Sequence, residues 1–295
     1  MAQIILCDST EVYNILNQYF SVSRLAELNY LCLIDARSKE EYNESHIITA
    51  RKAKLDTEGK FLIPADVEIE CMRYCVVYDS STSFLLGSGP AMECAEVLAK
   101  SCFCPVWILK GGYERFSALY PFMRTQKILY TILELESLMS YPVEVLPGQL
   151  YMGDYRQATS LQIHKDLKLS AIVNVSEEMS DIFETCDCTV LHIPAADSAK
   201  ADLIGSFERV CLFIGSYLNA GSSVLICSSR GISRCSAVVM AFLLHHMKFT
   251  LKEAWALVLR CKTNMRPNRG FVQQLSDWEL CTLGVRKTSI AEPYY

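Results

Sequence analysis

Residues 222–242, SSVLICSSRGISRCSAVVMAF, contain the pattern that decides the fold. An apolar run typical of a buried strand is followed by a short loop with a glycine, and then by an apolar run typical of a helix. In such a unit the backbone N–H groups of the loop and the N-terminus of the helix point at one place, where they favour an anion. The stretch therefore predicts an anion-binding loop made of Ser228, Ser229, Arg230, Gly231, Ile232, Ser233 and Arg234.

Further strand and helix patterns surround this loop in the C-terminal half. LYMG, SAIVNVS and TVLHIPA have the composition of buried strands, and the spacing of Thr250 and Glu253 is that of a capping box at the start of a helix. A last helix is expected near residues 270–283. We predict an α/β domain over residues 142–284 and a tail over residues 285–295, of which the last stretch, KTSIAEPYY, is expected to be frayed.

The N-terminal half shows a similar alternation. YLCLIDA, YCVVYDS and PVWIL are apolar throughout, and the helix-like AMECAEVLAKSC lies between the last two. Strands of this kind are typical of a parallel sheet that is covered on both faces. We predict an α/β sandwich over residues 1–124 and a helical linker over residues 125–141, which ends where Tyr141 precedes a proline.

Composition and charge exclude several classes of protein. The chain has 295 residues, of which 51% are hydrophobic, and this is enough for two domains. Its net charge of -5 argues against direct binding of nucleic acid, which needs clustered lysine and arginine. The longest apolar run, AVVMAFLL, is too short to cross a membrane, and the N-terminus lacks the pattern of a signal or transit peptide. We therefore expect an intracellular, cytoplasmic chain.

The fourteen cysteines suggest metal binding or disulfides, but their spacing does not support either. The sequence has no CxxC pair, and neither Cys102/Cys104 nor Cys186/Cys188 has a histidine at zinc-finger spacing. Most of the cysteines lie in apolar runs, where they act as small hydrophobic residues. We predict reduced thiols, no metal and no cofactor.

The anion loop resembles the signature of the protein tyrosine and dual-specificity phosphatases, a His-Cys pair followed by five residues and an arginine. Aligned on Gly231 and Arg234, the sequence has Cys227 at the histidine position and Ser228 at the position of the nucleophilic cysteine. LPGQLYMGDYRQA, AIVNVS and RPNRGFVQQLSDWE resemble further motifs of the dual-specificity phosphatases. The resemblance implies their fold for the second domain and places Asp197 where their general acid lies. A turn-capping role is the alternative for Asp197.

The change from cysteine to serine has a chemical consequence. A cysteine nucleophile attacks as a thiolate, whereas a serine hydroxyl stays protonated unless a base activates it. All the histidines lie outside the loop, at His46, His164, His192, His245 and His246. We predict a catalytically inactive domain in which Arg234 still binds phosphate through two parallel hydrogen bonds. The alternative is that the loop remains only as a fold element, with its arginine paired to a protein carboxylate.

An active phosphatase that uses Cys227 is a second alternative. It would require the alignment to shift by one residue. Because successive side chains of a strand point to opposite faces, we expect Cys227 to face away from the loop that Ser228 faces.

The N-terminal segments LIDARSKEEYNESHIITA and ILKGGYERF resemble motifs of rhodanese-like domains. This resemblance implies structural roles for Asp35, Arg37 and His46. The rhodanese nucleophile should follow the strand YCVVY, where this sequence has Asp79. Because a carboxylate cannot carry sulfur and repels an anionic substrate, we predict that this domain is inactive too. A sulfurtransferase that uses Cys75, inside the strand, is the alternative.

A rhodanese-like domain before a dual-specificity phosphatase domain is the layout of the MAP-kinase phosphatases, whose first domain binds kinases through an arginine-rich motif. This sequence has Arg51, Lys52 and Lys54 in that neighbourhood, and a solvated, charged strand edge is the alternative to kinase binding. With both nucleophile positions changed, the chain resembles the serine/threonine/tyrosine-interacting-like (STYX-like) pseudophosphatases of this group.

That resemblance implies regulation by protein binding, in phospho-signalling, stress-granule or apoptosis pathways. The partners it implies are phosphoproteins, a stress-granule RNA-binding protein and a mitochondrial dual-specificity phosphatase. It also implies the mitochondrial matrix as a second compartment besides the cytoplasm.

Overall fold

A computed structural model describes residues 2–129, 131–291 and 295 of the chain. The chain divides into two compact units, Met1–Met139 and Ser140–Tyr295. Each unit has its own buried apolar core. Both are mixed α/β structures, which confirms the fold class predicted from the sequence. No helix in the described ranges is long and apolar enough to cross a membrane.

The elements of the first unit follow the predicted alternation. Its strands are β1 (Ile4–Cys7), β2 (Leu31–Asp35), β3 (His46–Ile47), β4 (Arg51–Lys52), β5 (Lys54–Leu55), β6 (Phe61–Leu62), β7 (Tyr74–Tyr78), β8 (Val106–Leu109) and β9 (Arg124–Thr125). Its α-helices are α1 (Ser9–Leu16), α2 (Lys39–Glu44), α3 (Pro90–Leu98), α4 (Gly112–Leu119) and α5 (Ile132–Glu136).

The main sheet of this unit has the strand order β1-β8-β7-β2-β4 among the described residues, and every pairing in it is parallel. Two of its three inner strands, β7 and β2, are buried along almost their whole length. Helix α3 packs against β7 and β8, and its apolar residues complete the core on that face. The continuous apolar runs of the sequence correspond to this two-sided burial.

The second unit is built on another five-stranded sheet in its described residues. Its strands are β10 (Val143–Leu146), β11 (Leu150–Asp154), β12 (Leu169–Asn174), β13 (Thr189–His192) and β14 (Ser223–Ser228). Its helices are α6 (Tyr155–Ala158), α7 (Leu161–Asp166), α8 (Ile182–Thr185), α9 (Ile204–Asn219), α10 (Arg234–His246), α11 (Leu251–Cys261) and α12 (Arg269–Leu283).

The strand order is β10-β11-β14-β12-β13, with all pairings parallel except the antiparallel hairpin of β10 and β11. Helix α10 is the centre of the core, because its residues from Arg234 to Leu244 are all buried. The carboxyl ends of β11, β12 and β14 meet at one edge of the sheet, and ligands of open α/β sheets bind outside such an edge. The loop after β14 therefore lies where a binding site is expected.

The helix expected over residues 125–141 is shorter than the sequence predicts. Arg124 and Thr125 pair with His46 and Ile47 as a strand, and the helix covers only Ile132–Glu136. Thr131 starts this helix as its N-cap, since its side chain accepts a hydrogen bond from the Glu134 N–H. Tyr130, in the middle of the segment, lies outside the described residues.

The tail after α12 is not frayed in its described part up to Thr288. Gly284 has a left-handed conformation, φ 73°, which ends the helix and turns the chain back. The carboxylate of Glu279, a fully buried residue, then accepts hydrogen bonds from the backbone N–H groups of Lys287 and Thr288, both at 3.0 Å. Residues 292–294 of the tail lie outside the described residues. The capping box of Thr250 and Glu253, by contrast, is observed as predicted.

Candidate anion-binding site

Strand β14 places Ser228 at the start of the loop. Ser228 lies opposite Asp154 of β11 and is only 2% exposed. The preceding residue, Cys227, lies between Gly153 and Asn174 in the sheet and is fully buried. Its thiol is 3.8 Å from the Asn174 Oδ1 atom. Burial raises the pKa of Cys227 well above its ordinary value. Cys227 is therefore a neutral core residue in the sheet.

A tight turn at Gly231 shapes the loop. Gly231 has φ 65°, and its N–H donates to the Ser228 carbonyl oxygen at 3.1 Å. A Cβ atom at this position would lie 2.8 Å from the backbone carbonyl oxygen of Gly153. Both the left-handed backbone and this close approach require glycine.

Arg234, the first residue of α10, is 7% exposed and points its guanidinium group back across the loop. Its Nη1 atom donates to the Ala195 carbonyl oxygen, and its Nη2 atom donates to the Ser229 Oγ atom, both at 2.8 Å. Among the described residues it forms no ion pair with a carboxylate. Its Nε atom is buried and has no hydrogen-bond partner in the described ranges. The direct carboxylate pairing that was the alternative for this arginine is therefore not observed.

The backbone of the loop offers further donors. Apart from that of Gly231, the N–H groups of residues 229–234 have no hydrogen-bond acceptor within the described residues. Buried N–H groups are nearly always paired in proteins. We call these N–H groups, the N-terminus of α10 and the Arg234 Nε atom the cradle, because donors of this kind suit a tetrahedral oxyanion such as phosphate.

A carboxylate from another part of the chain contacts this cradle. Ser229 donates its hydroxyl to the Glu178 Oε2 atom at 2.8 Å, while the same hydroxyl accepts from Arg234. The hydrogen bond from Ser229 lowers the pKa of Glu178, and the charge of Arg234 acts in the same direction. Glu178 was not identified from the sequence, because nothing in its local pattern distinguishes it from the neighbouring Glu177.

The side chain of Asp197 is hydrogen-bonded to the loop and does not cap a turn in its own segment. Its Oδ1 atom accepts a hydrogen bond from the Ser233 hydroxyl at 2.6 Å and another from the Asn268 Nδ2 atom at 2.9 Å. The Ser233 hydroxyl also accepts from the Asn268 backbone N–H at 3.2 Å. Asp197 thus holds the C-terminal side of the loop to the start of α12, and both Ser233 and Asn268 are partners that the sequence did not reveal.

Cys235 is another residue of the site that was not identified from the sequence. It follows Arg234 on α10 and is fully buried. Burial raises its pKa, and a hydrogen bond with the Ser228 side chain acts in the opposite direction. The buried ammonium group of Lys262 also lowers the pKa of this thiol. The hydroxyl of Ser228 is therefore next to a neutral thiol and is not hydrogen-bonded to an imidazole or a carboxylate in the described part of the chain.

In the first unit, Asp79 occupies the corresponding loop with its own carboxylate. Its Oδ1 atom accepts from the backbone N–H groups of Ser81 and Thr82 at 3.1 and 2.8 Å. Its Oδ2 atom accepts from the Thr82 hydroxyl at 2.6 Å and from the N–H of Ala91, in the first turn of α3, at 3.3 Å. Cys75, the alternative nucleophile, is buried inside β7.

Asp35, Arg37 and His46 have structural contacts, as the rhodanese-like motifs imply. Arg37 forms an ion pair with Asp35 at 2.6 Å, and both side chains are almost fully buried. Arg37 also donates to the Ser45 carbonyl oxygen at 2.7 Å. The His46 Nδ1 atom lies 2.9 Å from the Tyr42 carbonyl oxygen. These bonds fix the segment between β2 and β3.

Two of the basic residues near β4 already form contacts within the first unit. Arg51 forms an ion pair with Asp66. Lys52 donates to the Ala53 carbonyl oxygen at 3.1 Å, and burial lowers its pKa. Lys54 is exposed on β5.

The structure changes one premise of the expectation about metals. The argument against a metal at Cys186/Cys188 rested on the absence of a histidine close by in the sequence. The structure brings His164 next to both thiols. This cluster is distant along the chain, so spacing within one segment could not have revealed it.

Two family models match separate parts of the chain. Residues 21–119 match the rhodanese-like domain, and residues 150–281 match the catalytic domain of the dual specificity phosphatases. The two matches fall in the first and the second compact unit.

Several known proteins are similar to the chain. Human dual specificity protein phosphatase 5 is 33% identical over 198 residues, which cover 59% of this chain and 50% of that protein. The chain thus spans about half the length of that relative. Human dual specificity protein phosphatase 1 is 28% identical over 289 residues, which cover 84% of this chain and 77% of that protein. Among solved structures, the human tyrosine phosphatase-like serine/threonine/tyrosine-interacting protein aligns at 27% identity with a TM-score of 0.44, covering 48% of this chain and 96% of that one.

Proposed function

We propose that this chain is a catalytically inactive pseudophosphatase, which binds a phosphorylated protein without hydrolysing its phosphate ester. It joins a rhodanese-like domain to a dual specificity phosphatase domain. The observation that supports the proposal is that the loop keeps its hydrogen-bond donors but has a serine at the position of the nucleophile. In the described part of the chain, the backbone N–H groups of residues 229, 230 and 232–234 and the buried Arg234 Nε atom have no hydrogen-bond partner, while the residue at the start of the loop is Ser228.

The absence of catalysis follows from the surroundings of Ser228. A serine becomes a nucleophile when an adjacent base takes its proton. Its observed neighbour is the thiol of Cys235, whose pKa burial raises. In serine proteases, loss of the nucleophile lowers the rate by about 10⁶. We expect a deficit of similar size relative to phosphatases that have cysteine at this position.

The alternative of catalysis by Cys227 is less well supported. Its thiol is enclosed in the sheet beside Asn174. A thiolate at that place would be desolvated, and its charge would point away from the loop donors that a phosphate needs. We therefore assign Cys227 a packing role.

Binding is supported by chemistry that the serine leaves intact. The loop N–H groups belong to the backbone, so a change of side chain does not remove them. A hydroxyl in place of a thiolate also removes a negative charge that would repel a phosphate dianion. A phosphorylated segment of a partner protein matches this donor set, and such binding would give the chain a scaffolding or regulatory role in phospho-signalling.

The finer assignment to the STYX-like pseudophosphatases is part of the same proposal. It rests on the changed residues at both nucleophile positions, Ser228 and Asp79. The stress-granule RNA-binding protein and the mitochondrial phosphatase implied by that resemblance are proposed partners. Kinase docking through Arg51 and Lys52 is less favoured, because an ion pair and partial burial already engage these side chains.

Binding of a phosphotyrosine peptide to the full chain tests the proposal. We expect measurable affinity for the wild type and a loss of roughly 10- to 100-fold for Arg234→Ala, since hydrogen bonds to charged groups contribute about 1.5–3 kcal/mol. Arg209→Ala, on the exposed face of α9, is the matched control and should bind as the wild type does. Wild-type protein should show no turnover of a generic phosphate ester at neutral pH.

Two results would contradict the proposal. Equal binding by the wild type and Arg234→Ala would show that the loop does not hold the phosphate. Turnover that Cys227→Ser abolishes would show an active phosphatase. Arg234→Lys keeps the positive charge but removes the Nε donor. Intermediate binding by this variant would show how much of the affinity comes from the charge and how much from the guanidinium hydrogen bonds.

A further inference from the structure

Three side chains that commonly bind metals meet in the second unit, away from the anion loop. His164 lies on α7, Cys186 follows α8 directly, and Cys188 precedes β13. A ring nitrogen of His164 and the two sulfur atoms all lie within 4.8 Å of one another, and the Nδ1 atom is 3.9 Å from the Cys188 sulfur. Tetrahedral zinc, with bonds of about 2.0–2.3 Å, separates such ligands by roughly 3.6–3.8 Å. A small adjustment of side chains would therefore bring the three atoms to that spacing.

The His164 ring is already fixed in the form that binds a metal. Its Nε2 atom lies 2.6 Å from the Ala158 carbonyl oxygen. A carbonyl oxygen only accepts, so Nε2 carries a proton, and in the neutral ring Nδ1 then presents its lone pair to the two thiols. Histidines that bind metals generally donate their other N–H to a backbone carbonyl or a carboxylate in this way.

The two cysteines approach this lone pair from one short segment. Residues 186–188 form a bend between α8 and β13. The Cys188 thiol donates to the Leu169 carbonyl oxygen at 3.1 Å, and the Cys186 thiol lies 3.8 Å from the Cys188 carbonyl oxygen. Cys188 is buried and Cys186 is half-buried. An ion can therefore enter from the side of Cys186.

We propose that His164, Cys186 and Cys188 bind one zinc ion, with water as the fourth ligand. Two thiolates and an imidazole suit zinc, whereas calcium and magnesium take oxygen ligands. Binding displaces the two thiol protons to solvent, because the thiolate is the ligand. The ion would join α7 to the segment between β12 and β13, which also carries Glu178.

Cobalt titration of the full-length, reduced and metal-free chain tests the site. We expect one Co²⁺ per chain, with the thiolate-to-cobalt charge-transfer band and the visible bands of a tetrahedral site, all displaced by Zn²⁺. Cys186→Ser should weaken zinc binding by more than about 100-fold, which is the upper end of the loss caused by removing an outer partner of a ligand. Cys104→Ser is the matched control, since Cys102 and Cys104 have the same spacing but belong to no metal-binding group within the described residues.

Cys186→Ser is the deciding variant, because the residue is half-buried and its replacement leaves the core intact. Its thermal unfolding without metal should match that of the wild type. Zinc should also protect residues 177–188 of the wild type, but not of this variant, from proteolysis. A wild-type chain without the charge-transfer band, or a band that survives both Cys186→Ser and Cys188→Ser, would rule the site out.

Discussion

Ser229 links the carboxylate of Glu178 to the buried guanidinium group of Arg234. An oxyanion in the loop must therefore share the positive charge of Arg234 with a carboxylate whose pKa is lowered and which stays ionised at neutral pH. We expect Glu178→Gln to raise the affinity for a phosphopeptide roughly two- to fivefold, which corresponds to the small energies of exposed charges. Titration at low and high salt measures the effect, and the gain should shrink as salt rises.

The neighbouring Glu177 provides the control for this experiment. Glu177→Gln removes the same charge from an adjacent exposed residue that lacks the hydrogen bond to Ser229. An equal gain in both variants would mean that only net charge matters and that the contact with Ser229 has no special effect.

Residues of the site differ in how far the sequence could reveal them. The loop from Ser228 to Arg234 is contiguous, so its pattern of strand, glycine and helix was readable. Glu178, Ala195 and Asn268 reach the loop from other segments, and only the path of the chain in space brings them there. The same reason explains why the histidine next to Cys186 and Cys188 was missed.

At the scale of elements, the carboxylate of Glu279 on α12 accepts hydrogen bonds from both α11 and the C-terminal tail. Glu279 accepts from the Leu251 N–H at the start of α11 and from the Thr288 hydroxyl in the tail, both at 2.8 Å. We expect Glu279→Ala to lower the free energy of unfolding by at least about 3 kcal/mol, because buried hydrogen bonds to a charged group are lost together. Urea unfolding measures the change, and Glu208→Ala, on the exposed side of α9, should have little effect.

Removal of residues 286–295 should reproduce a large part of that loss. If the truncated chain unfolds at the same urea concentration as the full chain, the tail is not a structural element.

Local signals predicted elements well, and long-range contacts explain the failures. The Thr250 capping box lies within four residues and was recognised, whereas the docking of the tail depends on Glu279, eight or nine residues earlier. The hairpin strand β10 was missed because its short segment contains Glu144, a buried polar residue that interrupts the apolar pattern.

At the scale of the whole molecule, the separate cores predict independent folding of the two units. The division lies between Met139 and Ser140, ahead of β10, whose Val143 and Val145 are buried. We expect the fragment of residues 140–295 to fold and to bind phosphopeptide as the full chain does. A fragment of residues 150–295 lacks β10 and should be less stable by at least about 3 kcal/mol, since two buried valines are lost.

Calorimetry and peptide titration of the two fragments measure these effects. Equal stability of both fragments would show that β10 is dispensable. Failure of the 140–295 fragment to fold would show that the second unit depends on the first.

The carboxylate of Asp79 takes the place of an external anion in the loop after β7. It takes the N–H groups of Ser81, Thr82 and Ala91 that an external anion would otherwise bind in the first unit. Of the two loops that follow β7 and β14, the first thus has its backbone N–H groups bound by a side chain of the protein itself, and its shape does not depend on any solute. We therefore expect the two loops together to bind one tungstate or phosphate ion per chain, at the loop after β14. Binding of this ion should leave the structure of the first unit unchanged.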